Sequence, residues 1–149
     1  MCCNKVLFIC TGNYYRSRFA EIYFNHLNNL KSLSDSPKWV ADSRGLGVFH
    51  SRNPGNLSVH TLNYLEPLNL PKPSLERAPL QLQITDLKQS DRIIAIDESE
   101  HRPMMLDQFP RWANVIDYWF IHDIDKTDPR LALPVLQQHV EDLHAHLHP

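Results

Sequence analysis

The chain has 149 residues and a formal net charge of −2, with acidic and basic residues interspersed. This length predicts one domain, residues 1–149, with its own hydrophobic core, and the charge balance excludes a nucleic-acid or polybasic membrane partner. No apolar run approaches the roughly 20 residues of a membrane span, and the N-terminus carries no secretory leader pattern. We therefore expect a cytoplasmic protein.

The three cysteines, Cys2, Cys3 and Cys10, lie together near the N-terminus. An odd number at this spacing does not fit a secreted disulfide framework, and no paired histidine or cysteine cluster completes a metal site with them. We expect neither a metal nor another cofactor. Taken alone, Cys10 is either a small buried residue at a strand end or a nucleophile, and the residues that follow it favour the nucleophile.

A predicted strand and a predicted helix flank Cys10. Residues 5–9 form an apolar β-type run, and after Ser17 apolar residues recur at helical spacing, namely Phe19, Ile22, Tyr23, Leu27 and Leu30. Five residues separate Cys10 from Arg16, enough for the loop to curl and point the guanidinium back at the sulfur. Because the N–H groups of a helix start face the same point, residues 10–17, here called the anion loop, are predicted to bind a tetrahedral anion above a nucleophile.

The residue types of the anion loop suit this chemistry. A thiol has an ordinary pKa of about 8.5, and a helix N-terminus and an arginine both lower it. Arg16 can bind two phosphate oxygens at once, and Gly12 permits a tight turn. Asn13 accepts a left-handed conformation and can lock the loop, while the hydroxyl of Ser17 can donate to the sulfur as it leaves. We expect all residues from Thr11 to Ser17 to contact substrate.

The anion loop, Cys-Thr-Gly-Asn-Tyr-Tyr-Arg-Ser, resembles the signature of low-molecular-weight protein tyrosine phosphatases, in which Cys-X5-Arg-Ser follows the first strand. Residues 42–45, Asp-Ser-Arg-Gly, are similar to the family's stretch after the second strand, where Ser43 would stabilise Asn13. Residues 90–97 are similar to its third strand and the acidic residue that ends it. The resemblance covers nearly the whole chain and implies a phosphomonoester hydrolase with a cysteinyl-phosphate intermediate.

Three positions near the start of the first helix depart from the family pattern. Tyr15 stands where the family commonly has a second cysteine that can trap the nucleophile as a disulfide. Arg18 stands where the family usually has proline, and we expect it to add positive charge near the pocket mouth. Tyr14 replaces an aliphatic residue and is a candidate aromatic wall of the substrate pocket.

The middle of the chain carries one further candidate pocket residue. A polar loop over 28–38 and a short strand over 39–41 lead to a surface loop that contains Phe49. The resemblance implies that Phe49 walls the pocket, and its alternative is a place at the edge of the core. Residues 66–84 are rich in proline and are predicted to form an irregular surface connection. Within them, Leu82 stands where the family often has an arginine.

The second chemical element is residues 119–125, here called the acid loop, which follows the predicted fourth strand. Cleavage of a phosphate ester leaves an oxyanion that a carboxylic acid on a loop can protonate, and the family uses an aspartate here. Alignment on the pattern aromatic-X-Ile-X-Asp selects Asp123, with Asp125 as the alternative. Because Ile124 and Asp125 replace the family's proline and aromatic residue, one pocket wall is missing. His122 either tunes the two acids or is an exposed loop histidine.

The alternation of strands and helices predicts a three-layer α/β/α fold with a four-stranded parallel sheet and the site at the carboxyl ends of the strands. The third strand is expected over 93–96 and the fourth over 115–118, with a helix from about Glu100 between them. A last helix could begin at Asp128-Pro129, but Pro134 favours a start near Leu133, which is the expected boundary. It should end in three solvated histidines, His144, His146 and His148.

Three functions fit these observations. The first is a protein tyrosine phosphatase: Cys10 attacks phosphorus, Asp123 protonates the leaving group and Arg16 holds the charge. Its partner would be a phosphorylated protein or a small aryl phosphate. The second is a non-catalytic phosphate-binding module of the same fold, suggested by Tyr15, Arg18 and the altered acid loop. The third, an arsenate reductase, would need further cysteines to relay electrons, and none follows Cys10.

Overall fold

The computed structural model describes residues 3–31 and 38–149. Its strands are β1 (Asn4–Cys10), β2 (Trp39–Gly45), β3 (Arg92–Ala95) and β4 (Asp117–Tyr118). They form one parallel sheet in the order β2-β1-β3-β4. The chain adds β2 on one side of β1 and then β3 on the other side. Such a reversal of strand order opens a crevice at the carboxyl ends of the strands, and Cys10 lies at that edge.

The helices of the described ranges are α1 (Arg16–Leu30), α2 (Val48–Ser51), α3 (Val59–Leu65), α4 (Lys72–Glu76), α5 (Ile84–Lys88), α6 (Glu98–Gln108) and α7 (Pro129–Leu147), and a 3-10 turn covers Glu66–Leu68. Among the residues that the structure describes, none of these helices has the length and apolar character that crossing a membrane requires.

Alternate residues of β1 divide between two hydrophobic cores. Val6 and Phe8 pack with residues of α1 and α7, whereas Leu7 and Ile9 pack on the side covered by α5 and α6. The two-residue period of a strand requires this alternation. None of the four side chains is more than 1% exposed. The predicted α/β/α layering and the four-stranded parallel sheet are therefore confirmed.

The last helix begins earlier than predicted. It starts at Pro129 and not near Leu133, because the side chain of Asp128 accepts the N–H of Arg130 at 2.8 Å and caps the helix. Pro134 lies inside the helix, on an exposed face. Its ring therefore meets solvent and does not disturb the packing of α7 on the sheet.

His144 is buried, so the prediction of a solvated histidine end is wrong at this position. Its Nε2 lies 2.7 Å from Oδ1 of Asn28 in α1, and its ring centre lies 4.8 Å from that of Phe24. Burial, and then the nearby charges of His148 and Lys31, lower the pKa of His144 from 6.5 to about 4. The docking of α7 on α1 covers this position.

Other element boundaries also differ from the sequence prediction, and strand β3 covers Arg92–Ala95 where the sequence predicts 93–96. Strand β2 runs on to Gly45 beyond the predicted 39–41, and β4 is shorter than the predicted 115–118. Helix α6 starts before Glu100, because the carboxylate of Asp97 accepts the N–H of Ser99 at 3.2 Å and caps its first turn.

The two segments predicted to be irregular are partly helical. Helix α1 continues through Asn28, and residues 32–37 of the predicted loop, like Cys2, lie outside the described residues. The proline-rich segment contains the 3-10 turn and α4. Pro67 and Pro73 both occupy the first turn of these elements, where a helix needs no N–H donor.

Candidate active site

The anion loop joins the end of β1 to the start of α1. Cys10 is 2% exposed, and Asn13 adopts the left-handed conformation expected of it, with a φ of 49°. Within the described ranges, the backbone N–H groups of residues 11–15 donate to no protein acceptor. The loop packs closely on β2, since a Cβ at Gly45 would lie 2.6 Å from the carbonyl oxygen of Thr11. The resulting concave row of N–H donors is the arrangement that binds anions.

Arg16 lies beside Cys10 and is 2% exposed. Its Nη1 donates to the carbonyl of Ile121 at 3.0 Å and its Nη2 to the carboxylate of Glu100 at 2.8 Å, while its buried Nε has no hydrogen-bond partner. Burial lowers the pKa of Arg16, but the charges of Cys10, Glu100 and Asp123 outweigh burial and raise it above the ordinary value. The guanidinium therefore stays charged, and its buried Nε–H is left for a ligand to accept.

A chain of hydrogen bonds holds the sulfur of Cys10. The Sγ of Cys10 lies 2.9 Å from the Oγ of Ser17, and the Nδ2 of Asn13 donates to Ser17 Oγ at 2.9 Å and to Ser43 Oγ at 2.8 Å. The contact between Ser43 and Asn13 that the resemblance implied is therefore formed. All four residues are buried.

Glu100 is a site residue that sequence reasoning missed. Its carboxylate accepts hydrogen bonds from Arg16, from the hydroxyl of Thr11 and from Nε2 of His101, which lies at 3.1 Å. The ring is oriented by its Nδ1, which accepts the backbone N–H of Asp97 at 3.0 Å. Burial raises the pKa of Glu100, but these three donors lower it far below its ordinary value. Its place in the first turn after β3, the strand next to β1, is the signal that could have found it.

Asp97 and His122 form a second pair behind Arg16. The Nδ1 of His122 lies 2.7 Å from Oδ2 of Asp97, and that carboxylate is 3.8 Å from Nη1 of Arg16. Burial raises the pKa of Asp97, but hydrogen bonds from His122 and Ser99 hold it below the ordinary value. His122 is thus paired with a buried acid and is not a solvated loop histidine.

A cavity of about 640 Å³ opens above the anion loop, and it separates the two candidate acids. Asp123 lines this cavity next to Cys10 and Arg16, with its Oδ2 3.6 Å from Nη2 of Arg16 and its side chain 38% exposed. Asp125 instead lines a separate cleft together with Asp128. The geometry therefore favours Asp123 over Asp125 as a group that reaches a bound substrate.

Not all of the aromatic residues considered for the pocket line the cavity. Tyr14 lines the cavity, and its hydroxyl donates to the carbonyl of Pro54 at 2.5 Å. Tyr15 also lines it, but its ring belongs to the core and burial raises the pKa of its hydroxyl to about 12. Phe49 is 80% exposed and does not line the cavity, because the single turn of α2 points it to solvent while His50 faces the cavity. The expectation that Phe49 walls the pocket is wrong.

Arg18 does not charge the pocket mouth. It is fully buried and donates to the carbonyls of Ser74 at 2.8 Å and Arg77 at 2.7 Å. A residue two positions after Arg16 points roughly 200° away around the helix. The guanidinium of Arg18 therefore binds the backbone of Ser74 and Arg77. The expectation of a charge at the pocket mouth is wrong.

A parallel sheet that carries a buried cysteine and arginine on the loop after its first strand defines an α/β protein with a cysteine-based phosphate-binding loop. The family model for low molecular weight phosphotyrosine protein phosphatases matches residues 5–130. The chain belongs to this family.

Known members resemble the chain in sequence and in fold. The low molecular weight protein-tyrosine-phosphatase YfkJ of Bacillus subtilis is 37% identical over 93 residues, which are 62% of this chain and 56% of that protein. The crystal structure of YfkJ superposes with a TM-score of 0.74 and 24% identity, over 99% of this chain and 96% of that one. The crystal structure of SP-PTP from Streptococcus pyogenes superposes with a TM-score of 0.75 and 20% identity, over 97% and 93% of the two chains.

Proposed function

We propose that the chain hydrolyses phosphomonoesters as a protein tyrosine phosphatase, with Cys10 as its nucleophile. The observation that carries this proposal is the guanidinium of Arg16, which is 2% exposed beside Cys10 and has an unpartnered Nε. A buried donor without a partner costs free energy unless a ligand satisfies it. A phosphate oxygen seated on the N–H groups of the anion loop would supply that partner.

The first chemical step forms a bond between the sulfur of Cys10 and phosphorus and breaks the bond to the ester oxygen. Asp123 donates its proton to the departing oxygen. Its position on the cavity wall, 3.6 Å from Arg16, supports this assignment. Arg16 and the loop N–H groups hold the phosphoryl oxygens as charge develops on them.

The second step hydrolyses the cysteinyl phosphate. Asp123, now a carboxylate, takes a proton from the attacking water, and the bond between phosphorus and sulfur breaks. The hydroxyl of Ser17, 2.9 Å from Cys10 Sγ, donates to the sulfur as it becomes a thiolate. Inorganic phosphate then leaves the anion loop.

The proposal includes the substrate class and the compartment. The cavity offers the ring of Tyr14 and the apolar side chain of Ile124 on its walls, which suit an aromatic phosphate ester. We expect a phosphorylated protein or a small aryl phosphate, acted on in the cytoplasm by residues 1–149 as one domain.

Hydrolysis of p-nitrophenyl phosphate in the presence of a metal chelator tests the proposal. The wild-type chain should turn over, and Cys10→Ser should lower the rate by more than about 10³-fold. Phosphate binding without turnover would instead support the non-catalytic phosphate-binding module. Turnover that survives Cys10→Ser would overturn the assignment of the nucleophile.

A further inference from the structure

Arg77 reaches the back of the anion loop from the proline-rich segment, just after α4. Its Nη1 donates to Oδ1 of Asn13 at 3.0 Å, and its Nη2 donates to Ser43 Oγ and to the carboxylate of Glu21, each at 2.8 Å. Ser43 Oγ in turn donates to Glu21 at 2.6 Å. These contacts close a ring of hydrogen bonds directly behind Asn13, whose left-handed conformation shapes the anion loop.

The donors on Asn13 fix which way its amide points. Oδ1 accepts from Arg77 and also from the backbone N–H of Leu80 at 3.0 Å. The amide nitrogen must therefore face the opposite side, where it donates to Ser17 and Ser43. An amide turned the other way would place its N–H groups against two donors.

The orientation of Asn13 sets the direction of the last hydrogen bond. Because Ser17 Oγ accepts from Asn13 Nδ2, its own hydrogen is available for the sulfur of Cys10 at 2.9 Å. A hydroxyl that donates to sulfur stabilises the thiolate, which is the nucleophilic form. The cation of Arg77 is thus linked to the nucleophile through Asn13 and Ser17.

Arg77 is itself held in place by Arg18. The buried guanidinium of Arg18 donates to the backbone carbonyls of Ser74 and Arg77, and its Nε lies 3.4 Å from the carboxylate of Glu21. Glu21 therefore contacts both arginines. This explains a fully buried arginine at the start of α1: it fixes the backbone from which Arg77 extends.

We infer that Arg77 is a positioning residue for the proposed reaction, acting through Asn13 and Ser17 on the thiolate of Cys10. The expected change in kcat rests on the proposed function, whereas the expected change in the reactivity of the Cys10 sulfur does not. Arg77 touches neither the cavity nor the reacting atoms, so the reactivity of the thiolate should change while phosphate binding does not.

The first measurement is the rate at which iodoacetamide alkylates Cys10 near neutral pH, followed by mass spectrometry of the peptide that contains it. We expect Arg77→Ala to slow alkylation about tenfold, which equals about 1.4 kcal/mol. Arg77→Lys keeps the positive charge but has a single donor nitrogen, so its alkylation rate should lie between those of the wild type and Arg77→Ala. Arg111→Ala, which removes an exposed arginine from the segment between α6 and β4, should alkylate at the wild-type rate.

The second measurement is steady-state hydrolysis of p-nitrophenyl phosphate. We expect Arg77→Ala to lower kcat about tenfold while KM and the inhibition constant of inorganic phosphate change less than about twofold. A fall in phosphate affinity with unchanged kcat would contradict a positioning role. Equal alkylation rates in folded Arg77→Ala and wild type would overturn the inference.

The two proposals fail in different ways. A wild-type chain without turnover would defeat the proposed function, while the alkylation rates would still decide the role of Arg77. Circular dichroism and a thermal melt establish that each variant is folded. If Arg77→Ala does not fold, Arg77→Lys decides the matter: slower alkylation supports the inference, and the wild-type rate overturns it.

Discussion

The carboxylate of Glu100 accepts a hydrogen bond from Nη2 of Arg16 at 2.8 Å, so the first turn of α6 orients the cation of the anion loop. The same carboxylate accepts the hydroxyl of Thr11. Glu100, which lies 84 positions after Arg16 in the sequence, thus holds both Thr11 and Arg16 of the anion loop. Glu100 also sets a negative charge beside the proposed phosphate site.

Replacement of Glu100 should distinguish the effect of its hydrogen bonds from the effect of its negative charge. We expect Glu100→Ala to lower kcat/KM about tenfold, because a hydrogen bond to a charged group is lost and Arg16 loses its orientation. Glu100→Gln keeps an acceptor oxygen and should lose less. Glu98→Ala, which removes a partly exposed glutamate of the same turn, is the control. A full wild-type kcat/KM in Glu100→Ala would contradict this role.

The aspartates of the acid loop should differ in a direct comparison. We expect Asp123→Asn to lower kcat on phosphotyrosine peptides by about 10²- to 10⁴-fold, since the leaving oxygen loses its proton donor. Asp125→Asn should stay near the wild-type rate, because Asp125 lies in a separate cleft. The reverse ranking of the two variants would move the acid to Asp125.

Loss of the Ser17 hydroxyl should affect breakdown of the phosphoenzyme more than its formation. Ser17→Ala removes the donor 2.9 Å from Cys10 Sγ, so the sulfur becomes a poorer leaving group. Rapid-quench experiments should keep a burst of nitrophenol, with a steady-state kcat about 10- to 100-fold lower. Ser51→Ala removes a hydroxyl that also lines the cavity and serves as the matched control. Loss of the nitrophenol burst would show instead that formation of the phosphoenzyme is the step that slows.

His144 should make the fold acid-sensitive. Its pKa is about 4 in the folded chain against an ordinary 6.5, so the unfolded chain takes up a proton first as the pH falls. His144 therefore leaves the free energy of unfolding unchanged above about pH 6.5. Between pH 6.5 and pH 4 that free energy should fall by about 1–3 kcal/mol, because only the unfolded chain is protonated at this site. Urea unfolding at pH 7.5 and pH 5 should show this loss.

Two variants test the origin of that pH dependence. In His144→Gln the difference in the free energy of unfolding between the two pH values should shrink, because the imidazole that takes up a proton in the unfolded chain before the folded one is removed. His146→Gln removes an exposed histidine of the same helix and should keep the wild-type difference. An unchanged difference in His144→Gln would assign the acid sensitivity to other groups.

Sequence reasoning failed for arginines and histidines whose neighbours come from distant segments. The sequence predicts Arg18 at the pocket mouth, yet it is fully buried, because α4 and the residues after it cover that side of α1. The sequence predicts a solvated His144, yet α1 covers it. In both cases the sequence pattern is compatible with an exposed side chain, and the partner that buries it lies at least 56 residues away.

The α/β fold and the anion loop follow from the amino-acid sequence alone. Cys10, Asn13, Arg16 and Ser17 lie within one short loop between a strand and a helix, so their proximity follows from local geometry. The contacts that hold the loop, and the acid that faces it, are set by the packing of distant segments. Glu100, Arg77 and Asp123 arrive from segments whose place depends on strand order and helix docking, and no local pattern encodes those contacts.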